Sequence, residues 1–279
     1  MIELPHMMKK HLLIILLITI FCAYSAHSKT ISIFLAGDST CATMKDTASS
    51  SYRGWGQVFP LFFDESKVAV RNFAKGGAST KTFKTLGIWD EMLGQVKKGD
   101  IVLIQFGHND ENVKDSRGTT PQEYKANLMA FVKDVRSKGA QPVLLTPILR
   151  RRYDNEGRAM RSGGANWNHL QYSPMVFEVA DELKVKMIDG ELLSEEWLNS
   201  MNRHEAKDYF VWFHPGAYPK HINGKSDDTH LNQKGAYEIA YRFAKSLTII
   251  FPKLKSHFQQ CTYDQVEDSF GKIHTLSGN

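Results

Sequence analysis

Cysteine is scarce in this chain: three in 279 residues, at positions 22, 41 and 261. Thiols so few and so far apart do not make the disulfide framework of a small secreted scaffold. Beyond the N-terminal segment there is no long apolar run, which excludes a multi-span membrane protein. The net charge is +5, yet no stripe of Lys and Arg with interleaved aromatics accompanies it, so nucleic acid is not an expected partner. No internal repeat, low-complexity tract or Pro/Gly/Ser linker interrupts residues 29 to 250, and a single domain follows. With 23% charged and 42% hydrophobic residues the composition is that of a globular protein. A domain of this length buries about 70–75% of its unfolded surface and needs no covalent staple.

The N-terminus departs from that average. Met7-Met8-Lys9-Lys10-His11 precedes an uncharged run from Leu12 to Cys22, and small residues follow around Ala23 to Ser28. A basic region, a short apolar stretch and a small-residue zone form a secretory signal pattern, and the apolar stretch is too short to cross about 30 Å of hydrocarbon as a helix. Residues 1 to 28 are therefore read as a signal peptide cut after Ser28, with Ala26 and Ser28 as the small pair. The bulky Phe21 before Cys22 argues against lipid attachment. The expectation is an exported protein, periplasmic or extracellular, with no stable membrane anchor, and with Cys41 and Cys261 as free or partly buried thiols. Residues 253 to 279 read as a polar C-terminal tail outside the core.

Short β-branched and apolar runs recur at Ile31 to Ala36, Val68 to Phe73, Ile101 to Gln105, Val143 to Thr146 and Val185 to Ile188. They have the uninterrupted apolar character of strands buried on both faces of a parallel sheet. Helical patterns lie near Trp55 to Asp64, Pro121 to Lys138, Ser173 to Leu183 and Gln233 to Ile250. The alternation predicts an α/β fold over residues 29 to 252: a three-layer α/β/α sandwich around a central, mostly parallel five-stranded sheet.

In such a sheet, ligands bind beyond the carboxyl ends of the strands. Three predicted strands run into polar clusters there: Gly37-Asp38-Ser39-Thr40, Lys75-Gly76-Gly77-Ala78-Ser79 and Gly107-His108-Asn109-Asp110. Ser39, after a strand and a Gly-Asp turn, is placed to open the next helix, where free N–H groups favour developing negative charge. The same residues serve as ordinary helix caps. A base for Ser39 is offered by His230, in a polar loop that reads Ser226-Asp227-Asp228-Thr229-His230, with Asp227 or Asp228 able to reach its Nδ1. Gly77, without a Cβ, and the amide of Asn109 could donate to an oxyanion beside the Ser39 N–H.

Gly37-Asp38-Ser39, Gly77, Gly107-His108-Asn109-Asp110 and Asp227-x-x-His230 resemble the four sequence blocks of the SGNH (GDSL-type) hydrolases, in order and at the expected strand ends. More narrowly, Trp55-Gly56, Gln105 to Asp110, Thr146-Pro147 with Arg150-Arg151-Arg152, and Phe210-Val211-Trp212 ahead of Asp227 to Asn232 resemble the rhamnogalacturonan acetylesterases. The resemblance spans nearly all of residues 31 to 250 and implies a flavodoxin-like sandwich. It also implies Ser39 as nucleophile, His230 as general base and acid, Asp227 as its orienter, and an oxyanion hole of Ser39 N–H, Gly77 N–H and the Asn109 side chain. Cys41, two residues after the nucleophile, departs from the pattern and reads as a small buried residue of the first helical turn.

The expected activity is that of a secreted serine esterase that removes O-acetyl groups from a pectic polysaccharide. The expected partner is an acetylated poly- or oligosaccharide, and the enzyme is expected to be a monomer without metal or other cofactor. Alternatives in the same chemistry are an acetylesterase of xylan or another sugar, and a broad carboxylesterase or lysophospholipase. A non-catalytic carbohydrate-binding protein is the alternative from another class. Gly224-Lys225-Ser226 lacks the earlier glycine of a phosphate loop, since Pro219 stands there, and His204, His214 and His221 lack the spacing of a zinc helix. Arg150 to Arg152 could meet a galacturonate carboxylate or form a solvated basic turn, and Trp167, Trp212 and Tyr218 could stack on sugar rings or pack inside.

Overall fold

The computed structural model describes residues 30–45, 51–160, 169 and 171–265; the expected signal peptide, Trp167 and the end of the tail lie outside the described residues. The strands are β1 (Ile31–Gly37), β2 (Val68–Asn72), β3 (Ile101–Gln105), β4 (Gln141–Leu145) and β5 (Lys186–Ile188). They pair in the order β2-β1-β3-β4-β5, with every neighbouring pair parallel. This is the doubly wound, flavodoxin-like order, in which the chain reverses its winding direction between β1 and β3. The loops that leave β1 and β3 therefore border one crevice.

Side-chain alternation explains why the central strands read as unbroken apolar runs. Ile33, Leu35, Ile101, Leu103, Val143 and Leu145 point into one core cluster, while Phe34, Ala36, Val102, Ile104 and Leu144 point into the other. Burying each large side chain of this kind contributes about 1.5–3 kcal/mol. The first cluster is roofed by α7 (Gln233–Ile250), which lays Ala236, Ile239, Ala240, Phe243, Ala244 and Leu247 on the sheet. Phe243 meets Trp55 of α1 (Trp55–Val58) edge to face at 4.9 Å. On the other face lies α4 (Pro121–Ser137), started by a capping box between Thr120 and Glu123 with Pro121 in the first turn, and burying Tyr124, Leu128, Phe131, Val132 and Val135. It packs beside α5 (Ser173–Glu182).

The five strands and the sandwich agree with expectation to within a few residues. Four features differ. The helix expected from Trp55 to Asp64 stops at Val58 and continues as a 3-10 turn, Phe59–Phe62, where Pro60 has no N–H to give. Short helices α2 (Thr80–Thr85), α3 (Ile88–Gln95) and α6 (Gly190–Asn199) occupy stretches with too few turns to show a period. Residues 225 to 231, expected as a loop, form β7 (Lys225–Leu231), antiparallel to β6 (Phe210–Phe213). The tail is not outside the core along its first part: Leu254 and Cys261 are buried, and Phe258 stacks on Phe62 at 6.3 Å and meets Phe63 edge to face at 6.2 Å, with Tyr241 beside them.

Candidate active site

The turn after β1 is built around Asp38, which is wholly buried. One carboxylate oxygen accepts the Thr40 N–H at 2.9 Å and the Thr40 hydroxyl at 2.8 Å, and the other lies 3.3 Å from His108 Nδ1. Burial would raise this carboxyl, but His108 and the Thr40 donors hold it below its ordinary value. The backbone closes in a tight turn, with the N–H groups of Cys41 and Ala42 donating to the Asp38 carbonyl. Ser39 thus opens a single turn and not the expected helix, and Cys41 is a free, buried thiol inside that turn. Burial pushes the Cys41 pKa well up, so it stays a thiol.

His230 reaches this turn from β7. Its Nε2 lies 3.0 Å from Ser39 Oγ and its Nδ1 2.9 Å from Asp227 Oδ2. The other Asp227 oxygen accepts the backbone N–H groups of Thr229 and His230, at 2.8 and 3.0 Å. Burial alone would raise the Asp227 carboxyl, but these donors hold it well below its ordinary value. An ionised Asp227 can only accept, so Nδ1 carries the proton and Nε2 is left to accept from the serine hydroxyl. Asp228, the rival orienter, faces elsewhere: its Oδ1 accepts from Arg151 Nε at 2.7 Å and Trp212 Nε1 at 2.8 Å.

Gly77 and Asn109 lie on adjoining loops bridged by Arg117. Gly77 has φ of +78°, a left-handed conformation in which a side chain would be strained. Asn109 donates one amide hydrogen to the Ala78 carbonyl at 2.9 Å and has a second to give. Among the described residues, the N–H groups of Ser39 and Gly77 donate to no protein acceptor. The Ser39 N–H, the Gly77 N–H and one Asn109 amide hydrogen are thus donors that the protein leaves unspent. Arg117 NH1 lies 3.3 Å from Asn109 Oδ1 and 3.4 Å from the Gly77 carbonyl, and its other arm is held by Asp115 at 2.6 Å. Asp110 fastens the same loop to the start of α2 by accepting from Thr80 and Thr119, and burial lifts its carboxyl to about 6.

Sequence reading did not single out several of the supporting groups. Tyr52 donates its hydroxyl to Asp227 Oδ2 at 3.0 Å and meets the His230 ring edge to face at 5.1 Å. Gln105, quoted only within a motif, accepts from Trp55 Nε1 at 2.7 Å and donates to the Thr146 carbonyl at 3.2 Å, tying α1, β3 and β4 beneath the serine turn. Buried His169 touches His108, with ring centroids 4.3 Å apart, and its Nδ1 lies 2.8 Å from Glu111. Arg150 pairs with the other Glu111 oxygen at 2.5 Å. Arg150 and Arg151 are therefore neither a solvated turn nor open cations. Tyr218 is packed with Val211 and Phe213. None of these partners is adjacent in sequence, so no local spacing announces them.

A family model described as GDSL-like Lipase/Acylhydrolase matches residues 35–237. The chain belongs to that family. It is 38% identical to a rhamnogalacturonan acetylesterase of Bacillus subtilis, RhgT, over 82% of this chain and 94% of the relative. It is 34% identical to a probable rhamnogalacturonan acetylesterase of the same organism, YesY, over 77% and 91%. The protein is accordingly a carboxylic ester hydrolase. The crystal structure of Bacillus subtilis YxiM superposes with a TM-score of 0.65 at 28% identity, covering 80% of this chain and 57% of that longer one. At 17% identity, an acetylxylan esterase of Geobacillus stearothermophilus, Axe2, shares the fold with a TM-score of 0.53, covering 79% and 96%.

Proposed function

We propose that this GDSL-family hydrolase is an exported serine esterase that removes O-acetyl groups from rhamnogalacturonan or a closely related pectic polymer. The observation that carries the chemistry is the single line of contacts from Ser39 Oγ through His230 to Asp227, at 3.0 and 2.9 Å. In this reading Ser39 Oγ attacks the acetyl carbonyl carbon while His230 Nε2 takes the hydroxyl proton. The carbonyl oxygen becomes an oxyanion, received by the N–H groups of Ser39 and Gly77 and the Asn109 amide. The intermediate collapses as His230 returns the proton to the departing sugar oxygen, leaving an acetyl-enzyme and a free sugar hydroxyl. Water, deprotonated by His230, attacks the acetyl group, and acetate leaves as Ser39 regains its proton. Each oxyanion donor contributes about 3 kcal/mol at the transition state where it is matched to that state and not to the ester.

Identity to two Bacillus proteins named for rhamnogalacturonan acetyl groups, over most of both chains, supports the substrate. The basic, apolar and small-residue segments of residues 1 to 28 support export to the periplasm or beyond. The test is acetate release from acetylated rhamnogalacturonan, acetylated xylan and a long-chain ester at matched ester concentration. The pectic polymer should be the fastest by kcat/KM. A preference for the long-chain ester would overturn the sugar reading, and a preference for xylan would keep the mechanism and replace the polymer.

A further inference from the structure

Asp227 and Asp228 are consecutive on β7, so their side chains leave opposite faces of the strand. Asp227 serves His230. Asp228 holds Arg151 and Trp212, which with Tyr153, Arg203, His204 and Lys207 line a cleft of about 440 Å³. Arg151 is fully engaged there: it holds Asp228, donates to the Arg203 carbonyl at 2.9 Å, and lies over the rings of Trp212 and Tyr153 at 5.0 and 5.9 Å. Lys207 Nζ lies 4.5 Å from the centre of the Trp212 ring. The tryptophan therefore holds cations in place and is not free to stack on a sugar.

Arg203 and Lys207 have no carboxylate partner among the described residues. Three cations thus line the cleft, and the carboxylate beside them, Asp228, is taken up by Arg151 and Trp212. Like charges gathered without counter-charges repel one another, and a bound anion relieves that repulsion while gaining charge-assisted hydrogen bonds. The Arg203 guanidinium and a Lys207 ammonium held over the Trp212 ring, beside a strand of the catalytic hairpin, suit a planar carboxylate on a sugar ring.

We propose that this cleft is a second subsite, in which Arg203 and Lys207 pair with the carboxylate of a hexuronate unit of the polymer while an acetylated unit of the same chain lies at Ser39. The subsite rests on the polysaccharide reading above, because that reading supplies a substrate with one carboxylate per uronate. A separation of one strand is short beside an oligosaccharide, so both units can belong to one chain. The positive cleft would hold the anionic backbone, leaving ester chemistry to the other face of β7.

The test reads binding without turnover. The full chain carrying Ser39→Ala is titrated calorimetrically with tetragalacturonate and with its methyl-esterified form, at low and moderate salt. The acid should bind at least tenfold tighter than the ester, and salt should weaken only the acid. Arg203→Gln with Lys207→Gln should abolish the preference, whereas Lys133→Gln with Lys138→Gln, an equal loss of charge at exposed positions of α4 and its C-cap, should leave it intact. Equal affinity for acid and ester overturns the subsite, as does a preference that survives Arg203→Gln with Lys207→Gln. Acid preference without acetate release from the pectic polymer would leave the subsite standing and remove the proposed reaction. Acetate release without acid preference would do the reverse.

Discussion

Two donors converge on Oδ2 of Asp227: the His230 ring N–H at 2.9 Å and the Tyr52 hydroxyl at 3.0 Å. Tyr52 is a positioning residue in this arrangement, since it acts on Ser39 only through Asp227 and His230. Burial and the Asp227 charge push its own pKa upward, so it stays a hydrogen-bond donor. Tyr52→Phe removes one of the two donors on Oδ2 while keeping the ring beside His230, so kcat should fall about fivefold, about 1 kcal/mol for a lost hydrogen bond, with KM little changed; an unchanged kcat would show that the tyrosine is only packing. Asn109→Ala should lower kcat by about 10²–10³-fold with KM little changed, the loss seen for one oxyanion donor. Steady-state kinetics on a small acetate ester separates the two constants. At this scale the contact of Ser39 with His230 and of His230 with Asp227 was legible, because each residue lies in a short polar block of the sequence. Tyr52 and Arg117 were not, because their partners are brought together by tertiary contacts such as Arg53 N–H to the Leu231 carbonyl at 3.0 Å.

The serine turn is held from below by α1, whose first residues lie against it. A Cβ on Gly56 would stand 2.5 Å from the Cys41 carbonyl oxygen and 2.7 Å from both Cys41 Sγ and Asn72 Nδ2. Gly56→Ala should destabilise the fold by about 1–3 kcal/mol, the usual cost of overpacking, and displace the Ser39 turn. Urea unfolding measures the first effect and kcat the second. Unchanged stability would mean that the contact between α1 and the turn is looser than these distances. The central strands were readable as elements because burial on both faces leaves an unbroken apolar signature. β7 was not: Ser226 to His230 are polar, its face toward the site is half-buried, and the pairing that makes it a strand is supplied by apolar β6. The short helices α2, α3 and α6 escaped notice because six to ten residues hold too few turns for a period to stand out.

At the scale of the whole molecule, buried titratable groups beneath the crevice tie stability to pH. Burial and neighbouring His108 push the His169 imidazole down to about 3 from 6.5. Between those values the unfolded chain holds more protons than the fold, so acidification favours unfolding by up to about 1.4 kcal/mol per pH unit for this group. Glu111 acts in the same direction lower down: burial opposes its ionisation, but the His169 N–H and Arg150 outweigh burial and bring it to about 2 from 4.5. Asp110, lifted to about 6 from 3.8, acts oppositely, and its contribution is lost as pH rises through that window. His169→Asn keeps a residue type that tolerates the φ of +47° at this position. It should flatten the decline of unfolding free energy from pH 6.5 toward acid, measured by urea titration at each pH. A slope identical to that of the parent would place the acid response elsewhere. The sandwich and its strand order follow from sequence periodicity and family resemblance together, whereas this buried chain of charges depends on long-range packing that no local pattern records.

The central claim is that ester cleavage runs through Ser39. The most direct test is the rate of acetate release from acetylated rhamnogalacturonan by the full chain and by Ser39→Ala under identical conditions. A loss of at least about 10⁴-fold is expected, since the remaining groups can bind and polarise the ester but cannot form the acetyl-enzyme. A Ser39→Ala protein that releases acetate at a rate near that of the parent would contradict it.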